Sequence, residues 1–272
     1  MRARSAIGAA AMATLAWSAD ATAQAPDDVA SVFAAGSLRA ALVDAGREFE
    51  AARPGTSVRF TFGASGLLKD RLLAGETADV FASANMEHPE ALSRAGKAGP
   101  VQRFARNAMC ALVRPGLGVT SADLARRMLE PTVKLATSTP VADPSGDYAW
   151  QVFRRIEESG VVGAFDRLGA KALQLTGGPA SPPPPPGPGS VYGKWVAEGG
   201  ADIFLTYCTN TTLARREQPS LQVVAVPPAI NVSASYGIAP LAGASKAGND
   251  FVAFVLGPRG QDILAAHGFA PR

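Results

Sequence analysis

The chain reads as an α/β protein in which parallel strands are covered by helices. Three features carry this reading. Strand and helix patterns alternate as β-α-β-α-β over residues 32–82, the alternation resumes from Asn107, and serines recur where strands give way to helices. Short apolar strands separated by helical patterns demand a mostly parallel sheet with helices on its faces.

The first unit is Val32-Phe33-Ala34-Ala35-Gly36-Ser37-Leu38, an apolar strand broken at Gly36-Ser37 and continued as a helix. Leu38, Leu42, Ala45, Phe49 and Ala52 recur at three- and four-residue spacing, and Arg53-Pro54-Gly55 stops the run. Ser37 stands at the expected N-cap. A serine at a helix start aims its hydroxyl and unpaired backbone N–H groups at one spot, with the positive end of the helix dipole behind them. Such a spot is sized for an anion.

Val58, Phe60 and Phe62 then alternate with Arg59 and Thr61, which predicts a strand ending at Gly63-Ala64-Ser65-Gly66. Leu67, Leu68 and Leu72 mark the next helix, and Ala78-Asp79-Val80-Phe81-Ala82 is a short buried strand. Ser37 and Ser65 therefore occupy matched positions at the carboxyl ends of successive strands. In an open parallel sheet such ends lie side by side, and ligands bind in the crevice beyond them.

The second half starts with a strand over 109–113, a helix over 123–129 that Ser121 can cap, and a strand over 133–136. Asp143-Pro144-Ser145-Gly146 opens a long helix carrying Trp150, Phe153 and Ile156, with Gly160 as its stop. A proline run, 182–186, excludes helix and strand interior and predicts a stiff polyproline surface loop returning the chain to the cleft. A short helix over 191–196, strands over 202–207 and 221–226, and helices over 251–256 and 261–266 complete the chain.

The ends and the composition bound the function. Met1-Arg2-Ala3-Arg4, an apolar stretch over 6–17 and Ala23-Gln24-Ala25 predict a secretory signal peptide over 1–25. That apolar stretch falls short of the roughly 20 residues that span a bilayer, so a chain starting near Pro26 is expected outside the cytoplasm. The formal charge of +3 is small and its lysines and arginines are dispersed, which argues against a nucleic-acid partner. Cys110 and Cys208 are an even pair in an oxidising compartment and form a candidate disulfide.

Gly63-Ala64-Ser65-Gly66-Leu67 misses the nucleophile elbow by one place, and the two histidines, His88 and His267, read as surface or capping residues. No spacing of His, Cys and carboxylates suggests a metal cation site, and no Walker loop or cofactor motif is present. Asn231-Val232-Ser233 matches a three-residue glycosylation sequon, a pattern common by chance.

The blocks Val32-Phe33-Ala34-Ala35-Gly36-Ser37-Leu38, Phe62-Gly63-Ala64-Ser65-Gly66 and Ala78-Asp79-Val80-Phe81-Ala82-Ser83-Ala84-Asn85 resemble the molybdate-binding proteins of ABC importers. The closing Gly257-Pro258-Arg259-Gly260-Gln261 and Gly268-Phe269 extend the likeness over nearly all of the chain. The resemblance implies a type II periplasmic binding fold. Its two lobes would comprise residues 26–106 with 236–272, and 107–235, joined by crossing strands and closing on molybdate or tungstate. It also implies a monomer that delivers its anion to an ABC permease in the inner membrane. Carried over residue by residue, it assigns hydroxyl and N–H donors to Ser37 and Ser65, backbone donors to Ser145 and Val191, and a hydroxyl donor to Tyr207. The proline-rich segment before Val191, Asp147 beside Ser145, and Cys208 and Asn210 after Tyr207 depart from the family's usual pattern.

Such a site holds an anion without a charged side chain, through about five to seven hydrogen bonds contributing roughly 1.5–3 kcal/mol each. A lining made only of donors rejects a protonated anion, whose O–H finds no acceptor, and Asp147 facing inward would supply one. Two other readings stand beside this one: the same fold binding another small anion such as sulfate, phosphate or a carboxylate, and a secreted enzyme with Ser37 or Ser65 as nucleophile.

Overall fold

The computed structural model describes residues 28–272, so the leader expected over 1–25 lies outside the described residues. The first strand, β1 (Asp28–Ala35), pairs in parallel with β2 (Thr56–Gly63) on one side and β3 (Val80–Ser83) on the other. Alternate side chains of a strand face opposite ways, and β1 is buried on both faces. Val32 and Ala34 pack with Leu38, Leu42 and Phe49 at and along α1 (Arg39–Ala51). Phe33 packs on the opposite face with Phe81, with Leu68 and Leu72 of α2 (Ser65–Leu73), and with Leu92 of α3 (Glu87–Arg94). A run of apolar residues without polar alternation is what a doubly covered parallel strand requires.

The second half repeats the arrangement. β5 (Leu135–Ser138) lies between β6 (Leu173–Thr176) and β7 (Ile203–Tyr207), parallel to both. Helices α4 (Leu124–Leu129), α5 (Pro144–Glu158) and α6 (Ala164–Lys171) accompany them, followed by α7 (Val191–Ala197) and α8 (Cys208–Glu217). The spatial orders β2-β1-β3 and β6-β5-β7 are the same order used twice.

Two long strands join the two triplets. β4 (Gln102–Val113) runs antiparallel to β9 (Ser233–Pro240) as far as Ala108, then pairs from Met109 onward with β7 and with β8 (Gln222–Ala225). β9 in turn pairs antiparallel with β3. The antiparallel pairings are therefore gathered on β4 and β9, while the strands within each triplet are parallel. The chain closes with α9 (Lys246–Leu256) and α10 (Pro258–Ala266), separated by Gly257.

Several boundaries differ from the sequence reading for local reasons. β4 begins at Gln102 rather than Met109, because its first half mixes exposed Gln102 and Arg103 with buried Phe104 and Ala105 and lacks a clean apolar run. The α4 cap is Asp123, not Ser121; the Asp123 carboxylate accepts from the backbone and hydroxyl of Thr120, each at 2.7 Å. α6, β6, α8 and β9 are additional elements; β6, α8 and β9 are short or rich in small and polar residues, and α6 spans only the eight residues Ala164–Lys171. The proline run lies in a segment without helix or strand between β6 and α7, pinned by Lys194 Nζ, which donates to the Pro185 and Gly187 carbonyls at 2.7 and 2.6 Å.

Cys110 on β4 and Cys208 at the start of α8 form a disulfide across 98 residues of sequence. Cross-linking a loop of that length restricts the unfolded chain, with typical effects of 2–4 kcal/mol. Replacing both cysteines by serine is expected to lower unfolding free energy by about 2–4 kcal/mol, read as a reduced midpoint in urea denaturation with an otherwise unchanged circular dichroism spectrum.

Candidate functional site

The repeated strand order turns the carboxyl ends of both triplets toward each other. A cavity of about 160 Å³ lies between them. From the first half its wall is Ala35, Gly36 and Ser37 after β1, Gly63, Ala64 and Ser65 after β2, and Ala84 after β3. From the second half it is Asp143 in the loop after β5, Thr176 and Gly177 at the end of β6, Tyr207 at the end of β7, and Tyr192 on α7. The volume is below the roughly 300–1,000 Å³ of sites for drug-sized ligands. A second cavity of about 600 Å³, which shares Gly36, Ser37 and Tyr192 with the first, opens beside it.

Ser37 lies inside a 3-10 turn, Gly36–Leu38, that precedes α1; the cap position is Ala35, so the hydroxyl is not spent on capping. It pairs instead with the Tyr236 hydroxyl at 3.1 Å. Ser65 is the first residue of α2, capped by Ala64, and its buried hydroxyl accepts from the Ala84 N–H at 3.1 Å. With that lone pair engaged, the Ser65 O–H proton remains available to donate. The first N–H groups of each helix have no intrahelical acceptor, so both turns present backbone donors beside the hydroxyls.

Tyr207 closes the wall from β7, its hydroxyl 3.5 Å from the Ala84 carbonyl oxygen. Burial pushes the phenol pKa values of Tyr207, Tyr192 and Tyr236 well above the ordinary tyrosine value, and the Asp143 charge adds to the effect at Tyr207 and Tyr192. All three stay protonated and keep their donors near neutral pH.

Ser145 is displaced from the role expected for it. Its N–H donates to the Asp143 carboxylate at 3.0 Å, and its hydroxyl pairs with Thr206 at 3.2 Å behind the wall. The physical reason is the sequence of the helix start: Pro144 occupies the first helical position, so Asp143 becomes the N-cap and its side chain takes the Ser145 donor. Val191 begins α7 on the wall of the larger cavity, and its neighbour Tyr192 reaches the smaller one.

Asp143, rather than Asp147, is the carboxylate on the cavity. Asp147 lines a different depression beside Glu87 and accepts the Val141 N–H at 2.8 Å. Asp143 keeps part of its surface open to the cavity although protein encloses it. Burial raises its pKa to about 6, opposed by hydrogen bonds from the Ser145 N–H and the Ser138 hydroxyl and reinforced by the Asp147 charge. Gly177 makes room for it: with φ at +80°, a Cβ there would meet Asp143 Oδ2 at 2.5 Å. Among the described residues no Lys, Arg or His lines this cavity.

Neither histidine forms a pair with these serines. His88 is buried within α3, contrary to the surface position expected for it, and burial lowers its pKa. His267 caps α10 and bonds Asp44 at 2.9 Å. Among the described residues no cluster of three or more His, Cys, Asp or Glu could hold a metal ion, and no helix is long and apolar enough to cross a membrane.

The profile of the bacterial extracellular solute-binding proteins matches residues 30–270. The chain belongs to that family. It is 32% identical over 257 residues to the molybdate-binding protein ModA of Mycobacterium tuberculosis, covering 88% of this chain and 83% of that one. Its fold is similar to the periplasmic molybdate-binding protein of Azotobacter vinelandii, with a TM-score of 0.71 at 19% identity over 89% of this chain and 99% of that one. The sulfate-binding protein SubI of M. tuberculosis is similarly related, with a TM-score of 0.71 at 18% identity over 90% and 87% of the two chains. Members of this family are extracellular solute-binding proteins.

The Asp143 environment has a consequence for stability. A carboxyl whose pKa is about 6 folded and about 3.8 unfolded costs nothing below the lower value. It becomes fully destabilising above the higher one, by about 3 kcal/mol at ~1.36 kcal/mol per pKa unit. Asn can cap the helix as Asp does. Asp143→Asn is therefore expected to stabilise the ligand-free protein at pH 7.5 by up to about 3 kcal/mol, with the gain vanishing between pH 6 and pH 4. Urea denaturation across that range measures it.

Proposed function

We propose that this family member captures a tetrahedral oxyanion, molybdate or tungstate, outside the cytoplasm and hands it to an ABC permease. The observation that carries the reading is the convergence of six strand ends, three from each triplet, on one small cation-free cavity bearing the Ser37, Ser65 and Tyr207 hydroxyls. The 32% identity to a molybdate-binding protein over most of both chains supports the choice of anion. In this reading Ser37 and Ser65 donate through hydroxyl and backbone N–H, and Tyr207 donates from the opposite side. Val191 contributes at the rim. Ser145 acts through the Asp143 carboxylate that it holds rather than on the anion.

The chain then works as two lobes, 26–106 with 236–272 against 107–235, and as a monomer that a leader over 1–25 sends to the periplasm. The change of partners along β4 between Ala108 and Met109 supports a hinge at that level. The lobes meet where the Gly66 N–H donates to the Ala142 carbonyl at 2.9 Å. A sulfate receptor is the second reading, favoured by the likeness of fold to SubI. Capture and release need no nucleophile, so no enzymatic step is assigned to Ser37 or Ser65.

A ligand that binds only the folded protein stabilises it by mass action, about 2.7 kcal/mol at a hundredfold excess over Kd. Tungstate or molybdate in such excess is expected to raise Tm by roughly 5–10 °C, and sulfate less; no shift with either metal oxyanion overturns the reading. In Ser37→Ala/Ser65→Ala the shift should vanish. A Cβ at Gly66 would stand 2.5 Å from the Val141 carbonyl oxygen and 2.7 Å from that of Ala142. Gly66→Val, which wedges this contact open, is expected to weaken tungstate binding at least tenfold, about 1.4 kcal/mol, measured by calorimetric titration.

A further inference from the structure

Asp143 is out of place in a cavity read as a donor-only anion site. Its carboxylate opens onto the same 160 Å³ as Ser37, Ser65 and Tyr207. The groups that face it come from every element around it, and none is cationic. Asp147 lies one turn along its own helix α5, Ser138 ends β5, Thr176 ends β6, Tyr192 stands on α7, and Tyr207 ends β7. Two full negative charges in so small a cavity repel, since the effective dielectric between its protein walls lies below that of water. An ionised Asp143 would also set acceptor against acceptor. A protonated Asp143 would give the anion one more O–H donor while still accepting the Ser145 N–H.

We propose that Asp143 is a specificity-determining residue through which the site takes up its anion together with one proton, held between the Asp143 carboxyl and an anion oxygen. This deepens the oxyanion reading above and rests on it. The only bonds that change are O–H bonds: for an anion that brings no proton, one forms on the Asp143 carboxylate as one breaks in the buffer acid or hydronium that supplies it. An anion without a titrating oxygen, such as tungstate, draws the proton from solvent onto Asp143. An anion with its own O–H, such as hydrogen phosphate, brings the proton with it and donates it to the carboxylate. The raised pKa of the empty site, about 6, fits a carboxyl already close to taking up a proton, and the arriving charge raises it further.

The linkage sets the sign. Below about pH 6 Asp143 is already protonated and binding is independent of pH. Above that, each pH unit removes the protonated form tenfold, so the affinity for tungstate falls tenfold per unit until the pKa of the complex is reached. Titration of the full mature chain with sodium tungstate between pH 6 and 8.5 tests this, with calorimetry repeated at pH 7.5 in two buffers of different ionisation enthalpy. The expected result is uptake approaching one proton per tungstate, and a Kd rising about tenfold per pH unit above pH 7. In Asp143→Asn, uptake should be absent and Kd should not vary with pH. The wild-type measurements decide the matter even if that variant folds poorly. Tungstate binding with a flat Kd and no proton uptake overturns this inference and leaves the oxyanion reading standing. No tungstate binding at any pH overturns both.

Discussion

The continuous hydrogen-bonded ladder of β4 is what the rest of the molecule depends on. Its first half is bonded to β9, which pairs with β3 of the first triplet, and its second half to β7 of the second and to β8, so β4 and β9 together bridge the two parallel triplets and set how their carboxyl ends face each other. The Cys110–Cys208 bond fastens β4 to α8 at the residue after Tyr207. The same bond therefore anchors the corner from which Tyr207 reaches the cavity. Moving β4 against either β9 or β7 would displace a wall of the site, because both ladders lie on the bonded path between the two sets of loops that form it.

The site built there follows from unsatisfied backbone groups more than from side-chain charge. Strands that end on small residues and lead directly into helices leave N–H donors at the helix starts, and the small residues Gly36-Ser37 and Ala64-Ser65 leave these starts open to the cavity. Preorganisation comes from neutral partners. Tyr236 positions the Ser37 hydroxyl and the Ala84 N–H positions that of Ser65, whose own proton stays free to donate. Asp143 is the exception, a carboxylate serving as helix cap and cavity wall together. One residue thus stabilises the α5 start and sets the electrostatic character of the site.

Glycines enforce the close approaches on which this geometry rests. Gly177 clears space for the Asp143 carboxylate, and Gly66 allows the α2 start to meet the carbonyls of residues 141–142. Asp79 does comparable work on the far side of the first triplet. Its carboxylate accepts from the Ser31 and Ser245 N–H groups at 2.7 and 2.6 Å, binding β1 to the α9 cap. The core on either face of β1 then packs against elements whose positions are already set by hydrogen bonds.

Much of this was legible in the residues themselves. The parallel αβ units, the pairing of Ser37 with Ser65, the helix starting at Val191, the terminal helices and the candidate cysteine pair are all local or follow from periodicity and strand order. Ser37 and Ser65 come together because each follows a strand of the same triplet, and neighbouring strand ends are adjacent in any such sheet. The fate of the second half was not legible. Whether Ser145 offers its N–H outward depends on which side chain caps α5, and Asp143, Ser145 and Asp147 are too close in sequence for spacing to decide which faces the cavity. The extent of β4 and the presence of β9 likewise depend on partners more than 100 residues away. Sequence alone determined that donors gather at strand ends; the tertiary structure decided that an acidic residue sits among them, because only packing says which of two neighbouring carboxylates is enclosed.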